Sequence, residues 1–143
     1  MSTIDLTEVP WILVDDITAD EFILEMLKFG EPTETSLVGV FGSDKGRGST
    51  RDIALPFHKD GTYSEKVAKN QGKNFDKVVD YVGLYCIKSG ETATQIKIDG
   101  SEEVTEVILS ENQALIFDNN KCLHARSGPV GDRVLLRVWI KSK

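Results

Sequence analysis

The sequence predicts a mainly β protein with a single early helix, arranged as a β-sandwich or jelly roll. About eight short β-like segments follow one another with turn residues between them, and only one segment has apolar residues at helical spacing. Regular alternation of strands and helices would instead indicate a parallel α/β sheet. Because the chain has 143 residues, we expect one domain spanning residues 1–143.

The helix is expected near the N-terminus, after a short strand at residues 11–15. Thr18 followed three residues later by Glu21 matches a capping box. Apolar residues at helical spacing then run from Phe22 to Phe29, and Gly30 with Pro32 ends the run. We therefore expect an α-helix packed on the outside of a sheet.

The later apolar runs have the length and composition of strands. They lie at residues 35–41, 51–55, 78–88, 92–99, 102–109, 114–118 and 133–140. Two polar segments, residues 42–50 and 64–76, interrupt the series. The second follows a candidate metal ligand directly, a place where lids are common, so residues 64–76 are a candidate lid.

The composition of the chain argues against several classes of protein. A formal net charge of -6 argues against nucleic-acid binding, which draws its affinity from clustered Lys and Arg. No apolar run approaches the roughly 18 residues of a membrane span, and no signal peptide is visible, so we expect a cytoplasmic protein without a membrane partner. The two Cys lack CxxC spacing and are expected to be reduced thiols.

A possible metal site begins at His58 and Asp60. If the backbone is extended there, the two side chains point to the same side, because strand side chains alternate with period two. The only other His in the chain is His124, after the strand predicted at residues 114–118. Two His and one carboxylate form the ligand set of a facial-triad non-haem Fe(II) centre, although either His alone would more often be structural.

The last predicted strand places arginines among large apolar residues. One face carries Arg133, Leu135, Arg137 and Trp139, and the other carries only apolar residues. A buried guanidinium is costly unless an anion meets it. That anion is either a protein carboxylate or a ligand carboxylate, and the residues alone favour neither.

Four segments together resemble the iron(II)/2-oxoglutarate-dependent oxygenases, in the branch of taurine dioxygenase, γ-butyrobetaine hydroxylase and clavaminate synthase. FHKDGTY (residues 57–63) resembles the branch's His-x-Asp strand, and YCIKSGETATQIK (residues 85–97) its Gly-Gly-Glu-Thr turn. ALIFDNNKCLHARSGP (residues 114–129) resembles its second-His segment, and DRVLLRVWI (residues 132–140) its closing Arg strand. The first 50 residues match only in general plan.

The resemblance implies a double-stranded β-helix of the jelly-roll, cupin-like type. It implies that His58, Asp60 and His124 bind Fe(II), and that 2-oxoglutarate is the co-substrate. Its distal carboxylate would pair with Arg137, assisted by the hydroxyl of Thr92, with Arg133 as the alternative anchor. Arg126 would lie near the iron. The implied activity is a dioxygenase that hydroxylates its substrate and releases succinate and CO2.

The chain departs from this branch in two places. Ser89-Gly90 replaces the usual pair of glycines, and residues 100–112 replace a large helical insertion that normally covers substrate. The missing insertion favours an open site, a site closed by a second subunit in a homo-oligomer, or a bulky substrate. We expect the substrate to be a small molecule, or a group bound to a carrier or a protein. The main alternative function is a cupin-like metal- or ligand-binding module without 2-oxoglutarate turnover. A further alternative is an oxygenase-derived domain that binds a partner.

Overall fold

A computed structural model describes residues 4–39, 55–61, 78–127 and 132–142. Within these ranges the chain forms one helix and nine strands. In chain order they are β1 (Trp11–Val14), α1 (Ala19–Leu27), β2 (Gly30–Val38), β3 (Leu55–His58), β4 (Tyr81–Lys88), β5 (Thr94–Ile98), β6 (Thr105–Val107), β7 (Ala114–Asp118), β8 (Cys122–Arg126) and β9 (Val134–Ser142).

The strands form two antiparallel sheets. One sheet has five strands in the order β1-β7-β4-β9-β2, and the other has four in the order β3-β8-β5-β6. A buried apolar cluster between them contains side chains of both sheets, including Leu84, Leu135 and Trp139 from the first and Ile96 and Cys122 from the second. The predicted mainly β architecture with one helix is therefore confirmed.

The helix packs on the outer face of the five-stranded sheet. The predicted capping box is present, because the Thr18 hydroxyl accepts from the Glu21 N–H and the Glu21 carboxylate accepts from the Thr18 N–H. Phe22 and Met26 are fully buried against β4. A Cβ at Gly83 would lie 2.6 Å from the Met26 sulfur and 2.7 Å from the Phe22 ring, so this helix position requires glycine in β4.

Strand β9 divides its side chains between the two sides of its sheet, as predicted. Val138 and Ile140 belong to the cluster under the helix. Leu135 and Trp139 belong to the cluster between the sheets. Arg133 and Arg137 lie on the inner side because side chains along a strand alternate with a period of two residues.

Three strands, β2, β6 and β8, depart most from those expected. β2 begins at Gly30, although the strand was expected to begin at residue 35. It includes Pro32 because β2 is an edge strand, where proline's missing N–H is tolerated. β6 covers only three residues of the expected 102–109 strand. β8 was not expected as a strand at all.

Two of the expected segments lie outside the described residues. They are the polar loop at residues 42–50 and the candidate lid at residues 64–76. Of the strand expected at residues 51–55, only the last residue lies within the described ranges. Among the described residues, no helix has both the length and the apolar character needed to cross a membrane.

Candidate metal centre

His58 and His124 face each other across the β3–β8 pair. The two residues are direct partners in this antiparallel register, so their side chains leave the sheet on the same face. Their ring centroids are 4.3 Å apart. The four-stranded sheet therefore brings together two histidines that are far apart in the sequence.

Asp60 completes the group from a turn and not from a strand. β3 ends at His58, and Asp60 lies in the turn that follows, next to Gly61 with its φ of 81°. The carboxylate still reaches the histidines: Oδ1 is 3.4 Å from Nε2 of His58 and 3.3 Å from Nε2 of His124. The convergence predicted from the sequence is present, but the turn produces it.

The spacing of these three atoms fits a metal ion. One ligand atom from each of His58, Asp60 and His124 lies within 4.8 Å of the other two. Two ligand atoms about 2.1 Å from an ion, at right angles to each other, are about 3 Å apart. The two measured separations are close to this value, and the donor set of two imidazoles and one carboxylate suits a divalent transition metal.

The two histidines differ in their outer contacts. Nδ1 of His58 lies 2.7 Å from the Pro56 carbonyl and donates to it, so Nε2 is the ring nitrogen that faces Asp60 and the site. Nδ1 of His124 is buried and has no hydrogen-bond partner among the described residues. His58 therefore has the outer contact common to metal-binding histidines, and His124 does not.

Asp60 is held by two residues that are not ligands. Nε1 of Trp139, on β9, donates to Oδ2 of Asp60 at 2.9 Å. Asn119, in the turn between β7 and β8, accepts from the Asp60 N–H at 3.1 Å and donates to the Asp60 carbonyl at 2.9 Å. The carboxylate therefore has one oxygen occupied by Trp139 and the other directed at both histidines.

Proximity of these groups shifts their pKa values in opposite directions. Burial alone would raise the pKa of Asp60, but the neighbouring His124 and His58 hold it well below its usual range. Burial alone would lower the pKa of His58, but its hydrogen bonds to Asp60 and the Pro56 carbonyl raise it overall. Asp60 is therefore a carboxylate at neutral pH, as a metal ligand must be.

The three candidate ligands line one pocket together with three arginines. The pocket is partly open to solvent. The space between its walls, together with the solvent-filled space at its mouth, is about 400 Å³. Its lining combines the metal group with guanidinium, hydroxyl and apolar groups from both sheets: Val38, His58, Asp60, Leu84, Thr94, His124, Ala125, Arg126, Arg133, Leu135 and Arg137.

Arg133 is the most deeply buried of these charges. It is 3% exposed, and it donates to the Thr94 hydroxyl at 2.9 Å and to the Thr92 carbonyl at 3.4 Å. Its Nε has no hydrogen-bond partner, and no carboxylate meets it among the described residues. Burial, and then the nearby Arg126 charge, lower the pKa of Arg133 to about 10.

Arg137 has a different environment. It is 2.8 Å from a carboxylate oxygen of Glu34 on β2, and its guanidinium carbon lies 4.5 Å from the centre of the Trp139 ring. A protein carboxylate therefore balances the charge of Arg137. The sequence had left an internal salt bridge and a ligand open for each arginine, and the structure shows the salt bridge at this one.

The structure brings most of the predicted site residues into one pocket. The pocket is lined by His58, Asp60, His124, Arg126, Arg133 and Arg137. Thr92 is not among the lining residues, and Arg133 contacts its carbonyl. Tyr81 and Tyr85 are not among the lining residues and lie in the cluster under the helix. Phe22 stacks on Tyr85, and Phe29 packs against Tyr81.

Sequence reasoning missed three residues that shape the site. Thr94 lies at the start of β5 and binds Arg133, Glu34 pairs with Arg137, and Asn119 holds Asp60. Thr94 and Asn119 fall within segments that resemble the oxygenase branch, and this was the only signal for them. Nothing in the sequence pairs Glu34 with Arg137.

The chain matches no protein-family model, and no curated protein matches it.

Proposed function

We propose that this protein is an Fe(II)- and 2-oxoglutarate-dependent dioxygenase. His58, Asp60 and His124 would hold the iron. The proposal rests on one observation: a two-histidine, one-carboxylate group lines the same pocket as a buried arginine, Arg133, that no carboxylate of the described residues meets. 2-Oxoglutarate suits both features, because its keto-acid end chelates metal and its second carboxylate requires a cation.

Arg133 is better suited than Arg137 to bind the second carboxylate. Arg137 already has the Glu34 carboxylate at 2.8 Å. Arg133 is buried beside the like charge of Arg126, and an anion there would offset the cost of burying both guanidiniums. The Thr94 hydroxyl, which contacts Arg133, would be the neighbouring donor in place of Thr92. We therefore reverse the order that the resemblance implied for the two arginines.

The arrangement of the sheets supports a double-stranded β-helix as the fold. Two antiparallel sheets enclose a core, and the candidate ligands come from the smaller sheet and the turn after β3. The arginines on the opposite side come from the larger sheet, through β9 and the residue before it. A jelly-roll arrangement of this kind suits a pocket between the sheets.

Bound iron and 2-oxoglutarate would supply the oxidative chemistry, in which O2 is consumed, 2-oxoglutarate becomes succinate and CO2, and the substrate gains a hydroxyl group. The protein would hold the ligands, orient the co-substrate and exclude water. Leu84, Leu135 and Val38 give the pocket apolar walls suited to that last task.

The decisive experiment is anaerobic addition of Fe(II) and 2-oxoglutarate to the purified protein. We expect the weak visible charge-transfer band of an iron-chelated keto acid, at one equivalent per chain. His58→Ala should abolish the band because it removes one of the three ligands. Lys97→Ala is the matched control, since Lys97 lies over the Phe57 ring and is not among the residues lining the pocket.

Absence of a band in the unsubstituted protein would contradict the dioxygenase proposal. If Co(II) nevertheless bound to His58, Asp60 and His124, the result would favour the alternative of a metal-binding module without 2-oxoglutarate turnover.

A further inference from the structure

The Asn119 side chain connects the turn before β8 to the backbone of Asp60. Asn119 is 3% exposed, and its carboxamide makes three hydrogen bonds. Oδ1 accepts from the Asp60 N–H at 3.1 Å. Nδ2 donates to the Asp60 carbonyl at 2.9 Å and to the Val79 carbonyl at 2.8 Å.

These contacts matter because Asp60 lies outside the sheet. β3 ends at His58, so the backbone groups of Asp60 have no strand partner. Asp60 is itself buried, and buried backbone groups without partners cost free energy. A single side chain therefore binds both the N–H and the C=O of the residue that supplies the carboxylate.

The same turn also sets the start of β8. Asn119 lies in the turn before β8. This strand begins at Cys122 and places His124 opposite His58. A second connection runs beside it: Lys59 donates to the Asn120 carbonyl at 3.0 Å and to the Asp99 carboxylate at 2.9 Å. The turn thus joins the segment carrying His58 and Asp60 to the strand carrying His124.

We propose that Asn119 is a positioning residue of the metal centre, which fixes Asp60 relative to His124 and so sets metal affinity and coordination geometry. This inference rests on the proposed metal site, and it adds a residue that binds no metal itself. Outer contacts of this kind orient ligands, and their removal typically lowers metal affinity about 10- to 100-fold.

A purely structural role is the competing account, because the bond to the Val79 carbonyl also ties the turn to the start of β4. The two accounts differ in what they predict for the folded protein. A structural role lowers the unfolding temperature of the metal-free protein and leaves the site unchanged in the molecules that remain folded. A positioning role changes the site in those folded molecules.

The test is Co(II) titration of full-length Asn119→Ala, followed through the visible ligand-field bands. Metal-free stability is measured separately by thermal unfolding in chelator. We expect Co(II) affinity to fall about 10- to 100-fold, with bands shifted in position or intensity. Asn120→Ala is the matched control. The Asn120 side chain binds only the Asp80 carboxylate among the described residues, and the variant should bind Co(II) like the unsubstituted protein.

Asn119→Ser is the second variant, to be read in the same way if Asn119→Ala does not fold. A folded variant with unchanged affinity and unchanged bands would overturn the proposal. So would failure of both variants to fold, because Asn119 would then serve the fold itself. If the unsubstituted protein bound no Co(II), the metal centre would be contradicted, whereas loss confined to the Asn119 variants supports both proposals.

Discussion

The indole of Trp139 donates to Oδ2 of Asp60 at 2.9 Å, across the interior between the two sheets. Because Oδ1 of the same carboxylate faces both His58 and His124, the two oxygens have separate partners. Trp139 is 1% exposed, so this contact is shielded from water. Trp139, on β9 of the five-stranded sheet, thus orients Asp60, the candidate metal ligand that follows β3 of the other sheet.

Trp139→Phe should weaken metal binding while the three ligands stay in place. The substitution leaves a buried carboxylate oxygen without its donor, and we expect Co(II) affinity to fall about tenfold. The metal-free protein should lose about 1–3 kcal/mol of unfolding free energy, measured by denaturant titration in chelator. Trp11→Phe, in edge strand β1, is the control and should leave Co(II) affinity unchanged. Equal affinities for the two variants would contradict this role of Trp139.

Gly83→Ala should destabilise the protein without changing the metal site. The added methyl would meet the Met26 sulfur and the Phe22 ring, both fully buried on the helix side of the sheet. We expect a loss of about 1–3 kcal/mol in the free energy of unfolding, as is usual for overpacking. Folded Gly83→Ala should bind Co(II) as the unsubstituted protein does. A stability equal to that of the unsubstituted protein would show that α1 moves away from β4 at little cost.

Asp80 should stabilise the fold in a pH-dependent way. Hydrogen bonds from the Asn120 side chain and from Ser142 lower its pKa below the usual 3.8. A lowered pKa in the folded state gives stability that is present above the unfolded pKa and is lost as pH falls through the folded value. The unfolding temperature of the unsubstituted protein should therefore exceed that of Asp80→Asn at pH 6.

The difference between these two proteins should shrink as the pH falls below about 4. Glu103→Gln, at an exposed position, is the control and should show no comparable difference. A difference between Asp80→Asn and the unsubstituted protein that is the same at pH 3 and pH 6 would contradict the assignment.

Local patterns were sufficient to predict the helix and most strands. The capping box at Thr18 and the alternation along β9 are short-range signals, and both are present in the structure. β8 was missed because Cys122–Arg126 has no β-branched residue and little strand preference of its own. Its extended form comes from pairing with β3 on one side and β5 on the other.

The convergence of His58, Asp60 and His124 was predictable because histidine is rare in this chain. The chain has only two histidines, and one of them lies beside Asp60 in a His-x-Asp pattern. The outer contacts were not predictable in the same way, because Asn and Thr are common and their partners are distant in the sequence. Glu34 and Arg137 illustrate this: they meet only because β2 pairs with β9.

The central claim is that 2-oxoglutarate binds between the metal centre and Arg133. Its most direct test is titration of 2-oxoglutarate into the anaerobic Fe(II)-loaded protein, following the visible band in the unsubstituted protein and in Arg133→Ala and Arg137→Ala. We expect saturation in the unsubstituted protein, a loss of affinity of at least about tenfold in Arg133→Ala, and a smaller loss in Arg137→Ala. Equal affinities for Arg133→Ala and the unsubstituted protein, or no band in any of the three, would contradict the account.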